Sequence, residues 1–202
     1  PMGGMYAGIQ ALTAVAEKLG VKCIYNAPVK RLHVNGTKVL GAQLEDGREF
    51  YADIFVGNAD LPYIYKELLP NKAEAKKLED KLYTCSTIMF YWGIDKEYPQ
   101  IAHHNVFLGG DYKASFDQIF NDHTLPEVPS FYVHAPKRTD PAAGPEGQDT
   151  LYVLVPVGHL DARTEQDWEA MVKRARQTVL TRLANELGAT DLEAHIKFEI
   201  SY

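Results

Sequence analysis

Residues 26–60, NAPVKRLHVNGTKVLGAQLEDGREFYADIFVGNAD, constrain the fold more than any other stretch of the chain. Two dipeptides punctuate it, Asn35-Gly36 and Asp46-Gly47. Each suits a type I′ turn, which needs φ > 0 at both central residues and joins antiparallel strands. The segments between them carry strand composition: 29–34 (VKRLHV) enters the first turn, 37–45 returns, and 48–51 follows the second. The spacing predicts a meander of three short strands. Residues 53–57 (DIFVG) form a nearly continuous apolar run, expected as a strand buried on both faces.

The chain before this meander predicts a turn at Gly3-Gly4, then a helix with apolar positions Met5, Ile9, Leu12, Val15, Ala16 and Leu19. Gly20 sits where a left-handed cap belongs, and residues 21–25 read as a short strand. After the meander, Asp60 is placed to cap a helix through Leu61, Ile64, Leu68 and Leu69, with Pro62 in its first turn and Pro70 ending it. A charged helix covers 72–82. Strands are expected at 84–95, 105–108, 130–135, 150–157 and 196–202, and a short helix at 112–120. Pro156 confines the end of its strand to an edge or a bulge. Residues 136–149, rich in Pro, Gly, Ala and charge, read as an exposed connection. Thr164 is a candidate cap for the longest helix, whose buried stripe is Trp168, Val172, Ala175, Val179, Leu183 and Leu187, with Gly188 ending it.

Composition narrows the function classes. The 202 residues suit one domain or parts of two. A net charge of −6 without a local Lys/Arg cluster argues against a nucleic-acid partner. Cys23 and Cys85 have no metal-like spacing and read as buried free thiols in a reduced compartment. No apolar run approaches the roughly 18 residues of a membrane span. The chain starts on Pro1 and stops inside a strand, so it reads as an internal piece of a longer protein.

Read residue by residue, the chain offers no catalytic constellation. It has no G-x-G-x-x-G and no P-loop. Ser130 lacks a nucleophile-elbow context, and Cys85 lies in an apolar strand as an inert thiol. His103-His104 is the one histidine pair; neighbours on a strand point to opposite faces, so the pair is expected to be structural and no metal site is assigned. The run Met89, Phe90, Tyr91 and Trp92 reads either as sheet core or as a pocket wall. A chain with ordered elements but no acids, bases or nucleophiles at workable spacing suits chemistry carried by a cofactor.

The succession PMGGM at 1–5, NAPV at 26–29, LEDG at 44–47 and ADIFVGNAD at 52–60 resembles the bacterial and fungal phytoene desaturases, most closely the fungal-type branch. So do Cys85-Ser86 with Tyr91-Trp92-Gly93, the triplet His103-His104-Asn105, PSFYV at 129–133, Thr139-Asp140-Pro141, and LVPV at 154–157. The block 129–157 is the most specific. Lys137 and Gly144 depart from the family's usual serine and alanine. The family's amino-terminal glycine motif and carboxy-terminal flavin-contacting segment have no counterpart.

That resemblance implies a mixed α/β (α+β) fold. Residues 1–70 would be part of an FAD-binding, Rossmann-like domain, and 71–202 a mixed-sheet substrate domain with flanking helices. It implies an FAD-dependent oxidoreductase of carotenoid biosynthesis that desaturates an acyclic C40 polyene. FAD contacts would fall on Pro28, Val29, Gly57, Asn58 and Ala59, with Gly3 and Gly4 where the chain returns to the flavin domain. Met89, Phe90, Tyr91 and Trp92 would be substrate contacts. A cytoplasmic enzyme peripherally attached to a membrane is implied, with no catalytic residue assigned. Amine- or porphyrinogen-oxidase-like flavoenzymes, and prenyl-lipid carriers of the Rab dissociation inhibitor type, are the alternatives within the superfamily.

Overall fold

The computed structural model describes residues 2–79, 81, 83–160 and 165–202. The chain divides into two compact units, Ala14–Leu82 and a second made of Pro1–Thr13 with Tyr83–Tyr202. Both sheets are antiparallel throughout, so the fold is mixed α+β.

Helix α1 (Gly4–Lys18) follows the Gly3-Gly4 turn, where both glycines have positive φ (79° and 73°). Gly20 supplies the left-handed residue after its end at φ 85°. The apolar stripe is present, but Met5, Ile9, Leu12 and Leu19 are exposed. The first unit is built on the expected meander. Strand β1 (Val29–Asn35) pairs with β2 (Lys38–Leu44), and β2 with β3 (Glu49–Tyr51). Gly36 and Gly47 both have positive φ, but Asn35 and Asp46 do not, so neither turn is the expected type I′: Asn35 pairs with Lys38 and leaves Gly36-Thr37 as the loop, and Gly47 N donates to Leu44 O around Glu45-Asp46.

Two expected strands do not form. Residues 53–57 are irregular, and Ile54 and Val56 are exposed. A doubly buried strand needs a hydrogen-bonding neighbour, and the described residues provide none beyond β3. Residues 21–25 are irregular for the same reason, and Cys23 among them is exposed rather than buried; both cysteines are free thiols, Cys85 half-buried. The helix after Asp60 is one α-turn, α2 (Leu61–Tyr63), that widens into a π-turn at Ile64–Leu68. Asp60 makes no side-chain capping bond. Helix α3 (Lys72–Glu79) closes this unit.

The second unit is a five-stranded sheet ordered β5-β6-β7-β4-β8, with β4 Ser86–Ile94, β5 His104–Phe107, β6 Phe131–His134, β7 Asp149–Val157 and β8 Ile196–Ser201. Strands β4 and β7 pair over nine residues each, from Ser86 opposite Val157 to Ile94 opposite Asp149. Their inward residues alternate strictly: Ile88, Phe90, Trp92 and Ile94 meet Leu151, Val153, Val155 and Val157, all buried. Pro156 lies beyond the last β6 rung at Leu154, so its missing N–H costs no bond on that side.

Between the strands lie α4 (Tyr112–Phe120), capped by Asp111, and α5 (Trp168–Leu187). The latter covers the inner face of the sheet with Met171, Ala175, Val179, Leu180 and Leu183, while Trp168, Val172 and Leu187 pack at its margin. Its cap is Asp167, whose carboxylate accepts from Ala170 N at 2.9 Å; Thr164 lies outside the described residues. Gly188 ends it at φ 69°, and α6 (Leu192–His195) leads into β8.

The connection 136–149 is anchored rather than free. Two 3₁₀ turns, Pro136–Arg138 and Pro141–Ala143, order it. Lys137 Nζ donates to Glu97 Oε1, Pro145 O and Gln148 O within 2.7 Å. Arg138 donates to Ile101 O and Tyr98 O at 2.7 Å each and to Asp149 Oδ2 at 2.6 Å. Sequence composition marked the segment as a loop but could not reveal that its cations turn inward onto carbonyls and a buried carboxylate.

Candidate functional site

Because α5 covers one face of the five-stranded sheet, the side chains of opposite parity form the other face. Cross-strand register decides which of them meet. Tyr91 lies opposite Tyr152 on β7 and Ile200 on β8. Met89 lies opposite Leu154, and Leu154 opposite Tyr132; His134 lies opposite both Tyr152 and His104. The result is an aromatic band running across the strands. Ring centroids of Tyr91 and Tyr152 are 5.2 Å apart, Tyr132 and Tyr152 6.4 Å, and Tyr91 and Tyr202 6.2 Å, all edge-on. Five strands at the usual spacing of about 4.8 Å make this band roughly 19 Å across.

The band is apolar with polar tips. Tyr152 Oη donates to Met89 Sδ at 3.8 Å. Loss of hydration raises the Tyr132 and Tyr152 hydroxyls above the ordinary phenol range, so both stay neutral. Val106 and Phe198 are exposed and Tyr91 is 39% exposed, so among the described residues of its own unit this face carries no covering layer comparable to α5.

At the β5–β6 end of the band three histidines converge. His103 Nε2 is 2.9 Å from His134 Nε2, His103 Nδ1 is 2.6 Å from Thr139 Oγ1, and His104 Nδ1 is 2.6 Å from Tyr132 Oη. Loss of hydration and the adjoining rings hold His103 and His134 below the ordinary imidazole range. The expectation that His103 and His104 diverge fails here. Residue 103 precedes β5, which begins at His104, so strand alternation does not govern it; their ring centroids lie 4.3 Å apart. His134 is brought in by pairing between β5 and β6.

The residues singled out from the sequence fall in separate places. Of the four aromatic-run residues, Phe90 and Trp92 are fully buried against the α5 side, whereas Met89 and Tyr91 stand on the open face. Pro28 and Val29 sit where β1 begins; Pro28 O accepts from Glu45 N at 3.0 Å, and β1 is an edge strand of its sheet. Gly57, Asn58 and Ala59 form an exposed irregular segment. A Cβ on Gly57 would come within 2.9 Å of Ile64 Cδ1, and the π-turn that begins at Ile64 also packs on β1. Gly3 and Gly4 belong to the second unit, where Gly3 N donates to Asp140 Oδ2 at 2.7 Å. Tyr132, His134 and Tyr152 fall within the block 129–157 that carries the resemblance, but no role was assigned to them from it. Alternation within each strand assigns their parity, but only the long-range pairing order makes them neighbours.

No family model matches the sequence. Comparison with curated proteins is more informative. The chain is 47% identical over 200 residues to the zeta-carotene-forming phytoene desaturase of Myxococcus xanthus, covering 98% of this chain and 38% of that protein. It is 44% identical over 197 residues to the phytoene desaturase of Phycomyces blakesleeanus, covering 95% and 34%, and 39% identical over 220 residues to that of Fusarium fujikuroi, covering 99% and 38%. The chain thus aligns along nearly its whole length with little more than a third of these bacterial and fungal relatives. Among solved structures, an oxidoreductase from Methanosarcina mazei superposes with a TM-score of 0.60 at 19% identity, and a Pyrococcus furiosus protein with 0.64 at 15%. Each covers all of this chain and 43% of the other, a likeness of fold.

Proposed function

We propose, from the homology of this chain to a segment of the phytoene desaturases, that the protein carrying it desaturates an acyclic carotene with FAD as the oxidant. The carrying observation is identity of 39–47% along nearly the whole chain to desaturases of bacterial and fungal origin. In this reading residues 1–70 belong to the flavin domain and 71–202 to the substrate domain.

The chain's own contribution is a surface. A long polyene is recognised by area and shape, because it offers no charge or hydrogen-bonding group. The aromatic band is suited to that: Met89, Tyr91, Tyr152 and Leu154 give an apolar wall, with the Tyr152 hydroxyl raised above the ordinary phenol range by loss of hydration. Phe90 and Trp92 act behind it, filling the space between the sheet and α5 so that the wall is rigid. The wall orients the hydrocarbon and excludes water; the flavin, when bound, supplies two-electron acceptance.

For the cofactor, the fit is confined to its adenine side. Edge strand β1 has an outer side not paired in its sheet, and backbone N–H and C=O groups there suit the edge of a nucleobase. The small residues Gly57 and Ala59 admit close approach. No phosphate-binding glycine loop lies in the sequence, so the remainder of the site belongs to other parts of the protein. A substrate drawn from lipid implies peripheral membrane contact; among the described residues no helix is long and apolar enough to cross a membrane.

The test is expression of the full-length protein in cells that accumulate phytoene. A red shift of the extracted pigment is expected, and an unchanged spectrum refutes the activity. Tyr91→Ala should reduce product while leaving bound flavin unchanged. The 202-residue chain alone should not retain stoichiometric FAD, and a yellow purified chain with a flavin spectrum would contradict that part of the reading.

A further inference from the structure

We infer that His103, His104 and His134 form a binding site for a divalent transition-metal ion of the zinc type at the β5–β6 end of the open sheet face. One ring nitrogen from each residue lies within 4.8 Å of the others. Tetrahedral coordination at about 2.0 Å places imidazole nitrogens roughly 3.3 Å apart. The His103–His134 separation of 2.9 Å already approaches this, and side-chain rotation brings the third ring in. The ligand type is selective: three neutral imidazoles suit Zn²⁺, Co²⁺, Ni²⁺ or Cu²⁺ and disfavour Mg²⁺ or Ca²⁺, which take oxygen.

Two of the rings are also held by hydroxyl groups on their other nitrogens or edges. A metal-binding histidine ordinarily donates its other ring N–H to an oxygen, which fixes the tautomer and the ring plane. His103 Nδ1 has Thr139 Oγ1 at 2.6 Å, which leaves Nε2 as the lone pair facing His134. Tyr132 Oη holds the His104 ring at 2.6 Å. In the Nε2–Nε2 contact one ring donates and the other accepts, and a metal ion takes both lone pairs once the donor ring's proton has moved to its own Nδ1. His104 is exposed, so the remaining coordination position opens to solvent on the aromatic side of the sheet.

Full-length, tag-free protein stripped with a chelator and titrated with Co²⁺ tests this. One equivalent should bind with the intense visible absorption of tetrahedral cobalt, and Zn²⁺ should displace it. His134→Gln and His103→Gln should each weaken binding at least tenfold, and Thr139→Val about tenfold through loss of the ring's orienting contact. His104→Asn, at the exposed ring, should also weaken binding and serves if either of the half-buried variants fails to fold. His195→Gln, in a separate ion-paired cluster, should leave the Co²⁺ affinity unchanged. Absence of a stoichiometric site, or a spectrum indifferent to the His103, His104 and His134 substitutions, overturns the inference.

Discussion

Asp149→Asn removes the anion at the centre of the clamp that ties 136–149 to the rest of the sheet unit. The Asp149 side chain is fully inaccessible and that of Arg138 is 20% exposed. Breaking a buried pair by deleting one partner costs about 3–5 kcal/mol, because the other charge stays buried. Arg138 keeps the Tyr98 and Ile101 carbonyls and some contact with water, which places Asp149→Asn near the lower end, about 3 kcal/mol. Arg138→Met should cost more. It strands a wholly buried carboxylate whose remaining contacts are Thr150 N at 3.0 Å and Tyr98 N at 3.5 Å, and it also removes the Arg138 donor from Ile101 O and from Tyr98 O, the latter keeping Ile101 N at 2.9 Å. The double substitution Arg138→Met/Asp149→Asn should cost less than the two singles together, by 1 kcal/mol or more. Urea unfolding followed by tryptophan fluorescence suits the measurement, since both tryptophans, Trp92 and Trp168, lie in the sheet unit and report on it alone. A loss under about 1 kcal/mol for Asp149→Asn, or strict additivity of the singles, would refute the view that burial makes this pair a clamp.

Gly158→Ala should destabilise by about 3 kcal/mol in the same assay, because its Cβ would lie 2.2 Å from the His123 carbonyl carbon; a neutral result would show that the loop yields freely. Leu183→Ala, fully buried between α5 and the sheet, should cost about 2–5 kcal/mol, and Gly188→Ala, at φ 69°, about 1 kcal/mol, both read as shifts in urea midpoint at constant slope. The Lys96 ammonium and the Tyr98 hydroxyl hold Asp191 down at about 2. A depressed carboxyl stabilises the fold fully above its unfolded value of 3.8 and loses that contribution as pH falls through about 2. The deficit of Asp191→Asn should therefore be largest near neutrality and vanish toward pH 2; a pH-independent deficit would place the effect in packing instead.

Local signals carried much of the architecture. The glycines of Asn35-Gly36 and Asp46-Gly47 marked the breaks between β1, β2 and β3 because positive φ is a local freedom of glycine, although the turn type expected of the dipeptides did not form. Helix α4 and the cap at Gly188 were legible for the same reason, as was the alternation of β4 and β7. The failures lie where burial had to come from elsewhere. Residues 53–57 have strand composition but find no strand neighbour among the described residues, and Met5, Ile9, Leu12 and Leu19 of the α1 stripe are exposed.

The candidate site divides along the same line. The sequence determined which side chains share a strand face, since Met89 and Tyr91 are separated from Phe90 and Trp92 by a period of two. It did not determine which face α5 takes, nor that β6, β7 and β4 lie side by side. Those are outcomes of long-range pairing, in which Tyr132, Tyr152 and Tyr91 become neighbours across 20 to 61 residues of chain. The histidine cluster is the sharpest case. His103 and His104 were visible as a pair, but a single rung of β5 on β6 supplies His134. A hydrogen-bonded register is set by the free energy of the whole sheet, and no dipeptide encodes it.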